Sequence, residues 1–207
     1  MAGWNWPYNM IIAGVGGQGN ILASALTGLA ATNAGYRVVV GETYGASQRG
    51  GSVMSHVRIF QEKEYGPLVP YGRADLIVAF EPLEALRVAS KYGRKETAVL
   101  VNTTPVYPVA VILKEARYPE PENILAALKS LVGEIYILDA TTLAREAGDP
   151  RAQNMVMINA LSLYAGQPVK RSCFDQSLEE FLQDAGSEQR KINRLAFQMP
   201  LELKKFT

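Results

Sequence analysis

Apolar runs and amphipathic stretches alternate along this chain. Met10 to Ala13 is a short unbroken apolar run ending at Gly14, the pattern of a buried strand. From Gly19 to Ala34, Leu22, Leu26 and Leu29 recur at helical spacing, and Gly35 supplies a C-terminal stop. Residues 36 to 40 read as a second strand and 53 to 60 as a third. Prolines in 65 to 70 suggest a short antiparallel edge piece. Further strands are expected at 75–80, 98–101 and 134–138. Helices are expected from Pro82 to about Ser90, over 122–131, from Asp139 to about Gly148 and over 151–164. The tail, 174 to 206, reads as two amphipathic helices, with Ile192, Leu195, Ala196 and Met199 forming one apolar stripe.

This alternation predicts one three-layer α/β/α domain over residues 1–207, with a mostly parallel, Rossmann-like sheet and C-terminal helices. The core is expected over about 9–165 and the helical tail over about 166–207. Strand, helix and strand over residues 10 to 40 read as a βαβ unit, which implies parallel pairing of its two strands.

Composition narrows the function. With 207 residues, the chain has the length of a single well-buried domain. The charges nearly cancel, 21 basic against 20 acidic, so there is no basic field for nucleic acid or an anionic membrane. No apolar run is long enough to span a bilayer, and the first eight residues lack the basic start of a secretory signal; the expected location is the cytoplasm. Cys173 is the sole cysteine, which excludes an internal disulfide and a four-thiolate iron–sulfur cluster within this chain. His56 is the sole histidine, so a His/Cys zinc site is not expected, and no metal site is assigned. His56 lies in an alternating run, where it reads as a partly exposed strand residue.

Two glycine-rich segments carry the candidate chemistry. Gly14-Val-Gly16-Gly17-Gln18-Gly19 follows a strand and opens a helix, and Glu42 stands at the end of the next strand. Alone, that is the fingerprint of a dinucleotide site, with pyrophosphate at the helix N-terminus and an acid on the ribose roughly 20 residues on. The turn needs glycine with or without a nucleotide, however, and the helix N-terminus favours any anion. The second segment, residues 41 to 52, contains Ser47, Gln48, Arg49, Gly50 and Gly51. A long polar connection where a short turn would suffice is a working surface, and Arg49 offers a forked donor for carboxylate or phosphate.

The two segments in this order, with Ser55-His-Val-Arg58, Gly72-Arg-Ala-Asp75, Phe80-Glu-Pro-Leu-Glu-Ala-Leu-Arg87, Asn102 and Asn154-Met-Val-Met-Ile158, resemble the gamma-type subunits of 2-oxoacid:ferredoxin oxidoreductases. The group includes the small beta subunit of indolepyruvate:ferredoxin oxidoreductase. The resemblance covers residues 10 to about 165 well and the tail loosely. It implies a non-redox subunit of a complex that oxidatively decarboxylates a 2-oxoacid, inactive alone, with thiamine diphosphate, Mg and iron–sulfur clusters on partner subunits and coenzyme A reaching a shared site. Ferredoxin is met indirectly, and an isolated subunit can self-associate as a homodimer. The resemblance leans toward indolepyruvate and other aryl pyruvates. The candidates for ligand or interface contact are Gly14, Gly16, Gly17, Gln18, Gly19, Glu42, Ser47, Gln48, Arg49, Gly50, Gly51 and Asn102, with no catalytic residue assigned. Two other classes stay open: an independent NAD(P)-binding oxidoreductase, and a module that binds a nucleotide or phosphate without catalysis.

Overall fold

The computed structural model describes residues 6–44 and 50–207, with the side chains of 44 and 109 left aside. A seven-stranded sheet forms its middle layer, in the order β2-β3-β1-β4-β5-β6-β7. These are β1 (Tyr8–Val15), β2 (Arg37–Tyr44), β3 (Ser52–Phe60), β4 (Leu76–Ala79), β5 (Ala98–Asn102), β6 (Glu134–Leu138) and β7 (Lys204–Lys205). The central pairs β1–β4, β4–β5 and β5–β6 are parallel.

All eight residues of β1 are buried, because helices cover both faces of the sheet. Alternation sorts them. Met10 and Ile12 join a core with Leu26 of α1 (Asn20–Asn33), Met157 of α6 (Gln153–Leu163), Phe174 of α7 (Arg171–Phe181) and Phe197 of α8 (Ser187–Gln198). Ile11 and Ala13 face the opposite way, against Ala85 and Val88 of α2 (Pro82–Tyr92) and Leu128 of α4 (Pro121–Leu131). Both α2 and α4 begin on proline, whose missing N–H would be unpaired there in any case. Asp139 caps α5 (Ala140–Glu146) by accepting from the Thr142 N–H. A 3₁₀ turn, Pro150–Ala152, leads into α6.

Expectations of pairing and burial are corrected, and two short elements are added. First, β1 and β2 do not pair. The connection after β2 lays β3 back antiparallel, and β3 then pairs along its length with β1, from Tyr8↔Ile59 to Val15↔Ser52. The helix between β1 and β2 fixed their common direction but not their adjacency. Second, residues 65–70 form no strand. The Gly66 and Leu68 carbonyls accept from Arg58, and Pro67 lies so close over Gly41 that a Cβ there would be 2.9 Å from it. Third, the apolar stripe of α8 is shifted: Ala196 and Phe197 are buried, whereas Leu195 is exposed. Fourth, β7, which pairs antiparallel with β6, and the one-turn α3 (Val109–Ile112) have too few residues to show a period in sequence.

His56 is also not partly exposed. Only 1% of its surface is accessible, its ring edge meets Tyr92 at 5.4 Å, and its Nδ1 accepts the Val69 N–H at 3.3 Å. That bond requires a neutral ring protonated at Nε2. Burial lowers its pKa, with Glu42 pulling upward and Arg58 reinforcing the drop. A histidine held neutral in the fold contributes stability that is present above its ordinary pKa of 6.5 and lost as pH falls below it. As the sole histidine, it gives one imidazole signal by NMR, whose titration midpoint is expected below 6.5. A midpoint at or above 6.5 would refute the buried, neutral assignment.

Candidate functional site

The C-terminal ends of β1, β4 and β5 and the start of β3 meet at one edge of the sheet. β1 runs out at Val15, and the backbone continues for one more step of pairing: Gly16 N–H donates to the Gly51 carbonyl at 2.8 Å, and Gly50 N–H donates to the Gly16 carbonyl at 3.3 Å. The two glycine segments are therefore hydrogen-bonded to each other. Gly17 and Gly19 take φ of +105° and +85°, the left-handed region that side chains disfavour. At Gly19 a Cβ would also stand 2.5 Å from the Asn154 amide nitrogen. These angles reverse the chain into α1, which begins at Asn20 without a side-chain cap. Its first-turn N–H groups, unpaired within any helix, face the loop.

Gln18 points inward. Its Oε1 accepts the Val15 N–H at 2.7 Å, and its Nε2 donates to the Phe80 carbonyl at 3.0 Å. Asn102 does the same from β5. Its amide nitrogen lies 3.1 Å from the Phe80 carbonyl and 3.0 Å from Thr141 Oγ1, and its oxygen accepts the Ala140 N–H at 3.0 Å. Both side chains are buried and tie strand ends together, so they shape the edge from within.

A cavity of about 470 Å³ opens beside the loop. Gly16, Gly17, Gly19 and Asn20 form one wall, and Glu42, Val53 and Ser55 the other. Glu42 is fixed by two hydroxyls: Ser24 of α1 donates at 2.7 Å and Ser55 of β3 at 2.5 Å. Asn20 is 4% exposed, and both its amide atoms lack a hydrogen-bond partner among the described residues. Buried polar atoms without partners are uncommon, and the residue that carries them borders the cavity. Behind the loop, Glu81 caps α2 and accepts from the Glu84 N–H and the Tyr118 hydroxyl. Burial raises the Glu81 pKa, opposed chiefly by the Tyr118 hydrogen bond. Glu84 is buried too, accepting from Ser52 at 2.5 Å and from Arg87 at 2.5 Å.

Of the candidate residues, Gly14, Gly16, Gly17, Gln18, Gly19, Glu42, Gly50, Gly51 and Asn102 gather at this edge. Ser47, Gln48 and Arg49 lie outside the described residues. Sequence reasoning gave no role to Ser24, Ser55, Asn20 or Tyr118. Ser55 meets Glu42 through the β2–β3 register, and Ser24 sits one turn past Asn20; neither proximity has a signal in sequence. Among the described residues, no group of His, Cys, Asp and Glu could hold a metal ion, and no helix is long and apolar enough to cross a membrane.

The geometry departs from a dinucleotide fold where the motif alone would place the ribose. β3 stands between β1 and β2, and Glu42 turns onto two serines. The sheet is mixed, the two glycine segments pair at the end of its first strand, and a buried Gln/Asn clasp lies beneath them. The chain belongs to the pyruvate ferredoxin/flavodoxin oxidoreductase family, which it matches over residues 9–203, and it is a subunit of such a 2-oxoacid:ferredoxin oxidoreductase complex. It is 45% identical over 163 residues to indolepyruvate oxidoreductase subunit IorB of Thermococcus kodakarensis, covering 78% of this chain and 80% of that one. It is 38% identical over 172 residues to the IorB subunit of Archaeoglobus fulgidus, covering 83% and 84%. The fold is shared with the gamma subunit of a keto/oxoacid ferredoxin oxidoreductase from Geobacter sulfurreducens, at a TM-score of 0.63 and 22% identity over 93% of this chain and 95% of that one.

The loop's two left-handed glycines make separable predictions. Gly17→Ala meets no atom within 4 Å and should lose only the backbone term, about 1–2 kcal/mol of unfolding free energy. Gly19→Ala must also displace Asn154 and should lose about 1–3 kcal/mol beyond that. Urea unfolding of both variants checks the difference; equal losses would mean that Asn154 does not pack on the turn.

Proposed function

We infer that this chain is the cluster-free subunit of a cytoplasmic complex that oxidatively decarboxylates an aryl 2-oxoacid of the indolepyruvate type, and that its glycine-segment edge faces the catalytic subunits. The observation that carries this reading is the backbone pairing of Gly16 with Gly50 and Gly51, which joins both motifs into one surface. The similarity to IorB subunits supports the aryl pyruvate. A single cysteine cannot supply the thiolates of an iron–sulfur cluster, and among the described residues no carboxylate set could hold the metal of thiamine diphosphate, so this reading assigns both groups to partner subunits. They would supply the carbanion and electron-transfer chemistry. This chain's residues bind, orient and exclude water.

Coenzyme A fits the edge in part. The Asn20 amide, buried without a partner among the described residues, would offer a donor and an acceptor to an amide-bearing arm if it turned into the cavity. The Glu42 carboxylate disfavours a phosphate beside it, so the arm rather than the diphosphate suits this cavity. Arg49, which immediately precedes Gly50 in sequence, is assigned to a carboxylate or phosphate at the shared boundary.

Two measurements test the reading. Purification of the chain from its native source should recover a thiamine- and cluster-containing partner, and the complex should prefer indolepyruvate to pyruvate by at least roughly tenfold in kcat/KM, about 1.4 kcal/mol of transition-state binding. Arg49→Ala in the reconstituted complex should weaken assembly or raise KM for the oxoacid or coenzyme A. If assembly and both KM values stay unchanged, Arg49 has no role at that boundary.

A further inference from the structure

We propose that the opposite edge of the sheet carries a second binding site, for a small phosphate-bearing metabolite. Asn9, near the start of β1, pairs with Arg58 near the end of β3, and Asp75 immediately precedes β4. These residues, with Trp6, Arg73 and Arg94, line a cavity of about 440 Å³ at the N-terminal ends of β1 and β4. The glycine segments lie at the other ends of the same strands. Arg58 and Asp75 sit in two of the motif segments, and nothing at the glycine edge uses either of them.

The donors are held in place by the protein and then left over. Arg58 is 7% exposed. Its Nε donates to Asn9 Oδ1 at 2.9 Å, and its Nη1 donates to the Gly66 and Leu68 carbonyls at 2.7 and 3.2 Å. Asn9 is itself anchored, its N–H donating to Asp75 Oδ2 at 2.8 Å and its Nδ2 to the Arg73 carbonyl at 3.0 Å. Arg58 is thus locked in orientation by neutral acceptors, and among the described residues its Nη2 has no acceptor and no carboxylate pairs with it. The Tyr65 ring, 5.0 Å from the Arg58 guanidinium, partly offsets the cost of burying this charge but does not neutralise it. Arg94 donates to Asp75 Oδ1 at 2.6 Å, while its Nε is buried without a hydrogen bond, 3.5 Å from Glu96. The exposed Arg73 guanidinium makes neither a hydrogen bond nor an ion pair among the described residues.

Three guanidiniums face two carboxylates, Asp75 and Glu96, which leaves a surplus cation at the cavity. Forked N–H donors match a tetrahedral oxyanion better than any neutral group, and the volume is that of a small-ligand pocket. Trp6 supplies an apolar wall for the rest of the molecule, its ring held against Tyr36 in a tilted contact with centroids 5.0 Å apart.

The test uses pyrophosphate as the probe, titrated calorimetrically into the full-length chain at constant ionic strength. Saturable one-to-one binding is expected. Arg73→Ala, at an exposed position, should weaken it about tenfold without changing the melting temperature of the unliganded chain, Arg73→Lys should retain part of it, and Arg151→Ala should leave it unchanged. The proposal fails if pyrophosphate does not bind saturably, or if Arg73→Ala binds as tightly as the parent. It also fails if Gly19→Ala abolishes binding while Arg73→Ala does not, because the anion would then sit on the glycine loop. Loss of pyrophosphate binding in the assembled complex would likewise overturn it, assigning the cavity to a partner's carboxylate.

Discussion

The Phe80 carbonyl, at the end of β4, accepts from the amides of both Gln18 and Asn102. One arrives from the turn after β1 and the other from the last residue of β5, so a single main-chain oxygen gathers three parallel strand ends. The remaining atoms of both amides are used as well: Gln18 holds the Val15 N–H, and Asn102 holds the first N–H of α5. A buried amide network of this kind is rigid because each missing bond would leave a desolvated polar atom. The glycine turn, the start of α1 and the cavity beside it are all set by that clasp.

The antiparallel β3 then decides what kind of edge it is. Were β2 beside β1, Glu42 would reach toward the glycine turn as it does in dinucleotide enzymes. With β3 between them, Glu42 is displaced by a full strand and closed off by Ser24 and Ser55. The same insertion brings Gly50 and Gly51 against Gly16. One change in strand order therefore removes a ribose site and creates a composite surface from two segments far apart in sequence.

The two ends of the central strands differ in chemistry. At the C-terminal end, backbone N–H groups, an unpartnered amide and a serine-bound carboxylate surround a largely apolar cavity. At the N-terminal end, arginines outnumber acids. Both ends use residues of the same two strands, β1 and β3, whose register places Asn9 opposite Arg58 and Gly14 opposite Val53. The sheet thus acts as a spacer that keeps an amide-lined face and a cationic face apart on one rigid body.

Much of the fold was legible in the chain. Apolar runs at 10–13, 75–80 and 98–101 marked the buried parallel strands, 134–138 marked the half-buried β6, and proline at 82 marked a helix start, because local sterics and burial act on neighbouring residues. The glycine segments were legible as sites of unusual backbone. Adjacency was not legible. Whether β2 pairs with β1 or β3, whether His56 faces water or Tyr92, and whether Asn102 reaches a ligand or the Phe80 carbonyl each depend on pairing between residues distant in sequence. By itself the sequence determined most of the elements, the common direction of β1 and β2, and the family to which the chain belongs. Only the tertiary structure decided the order of the strands, the fate of each polar side chain and the two faces at the ends of the sheet, because those follow from which buried donors find which acceptors once the layers close.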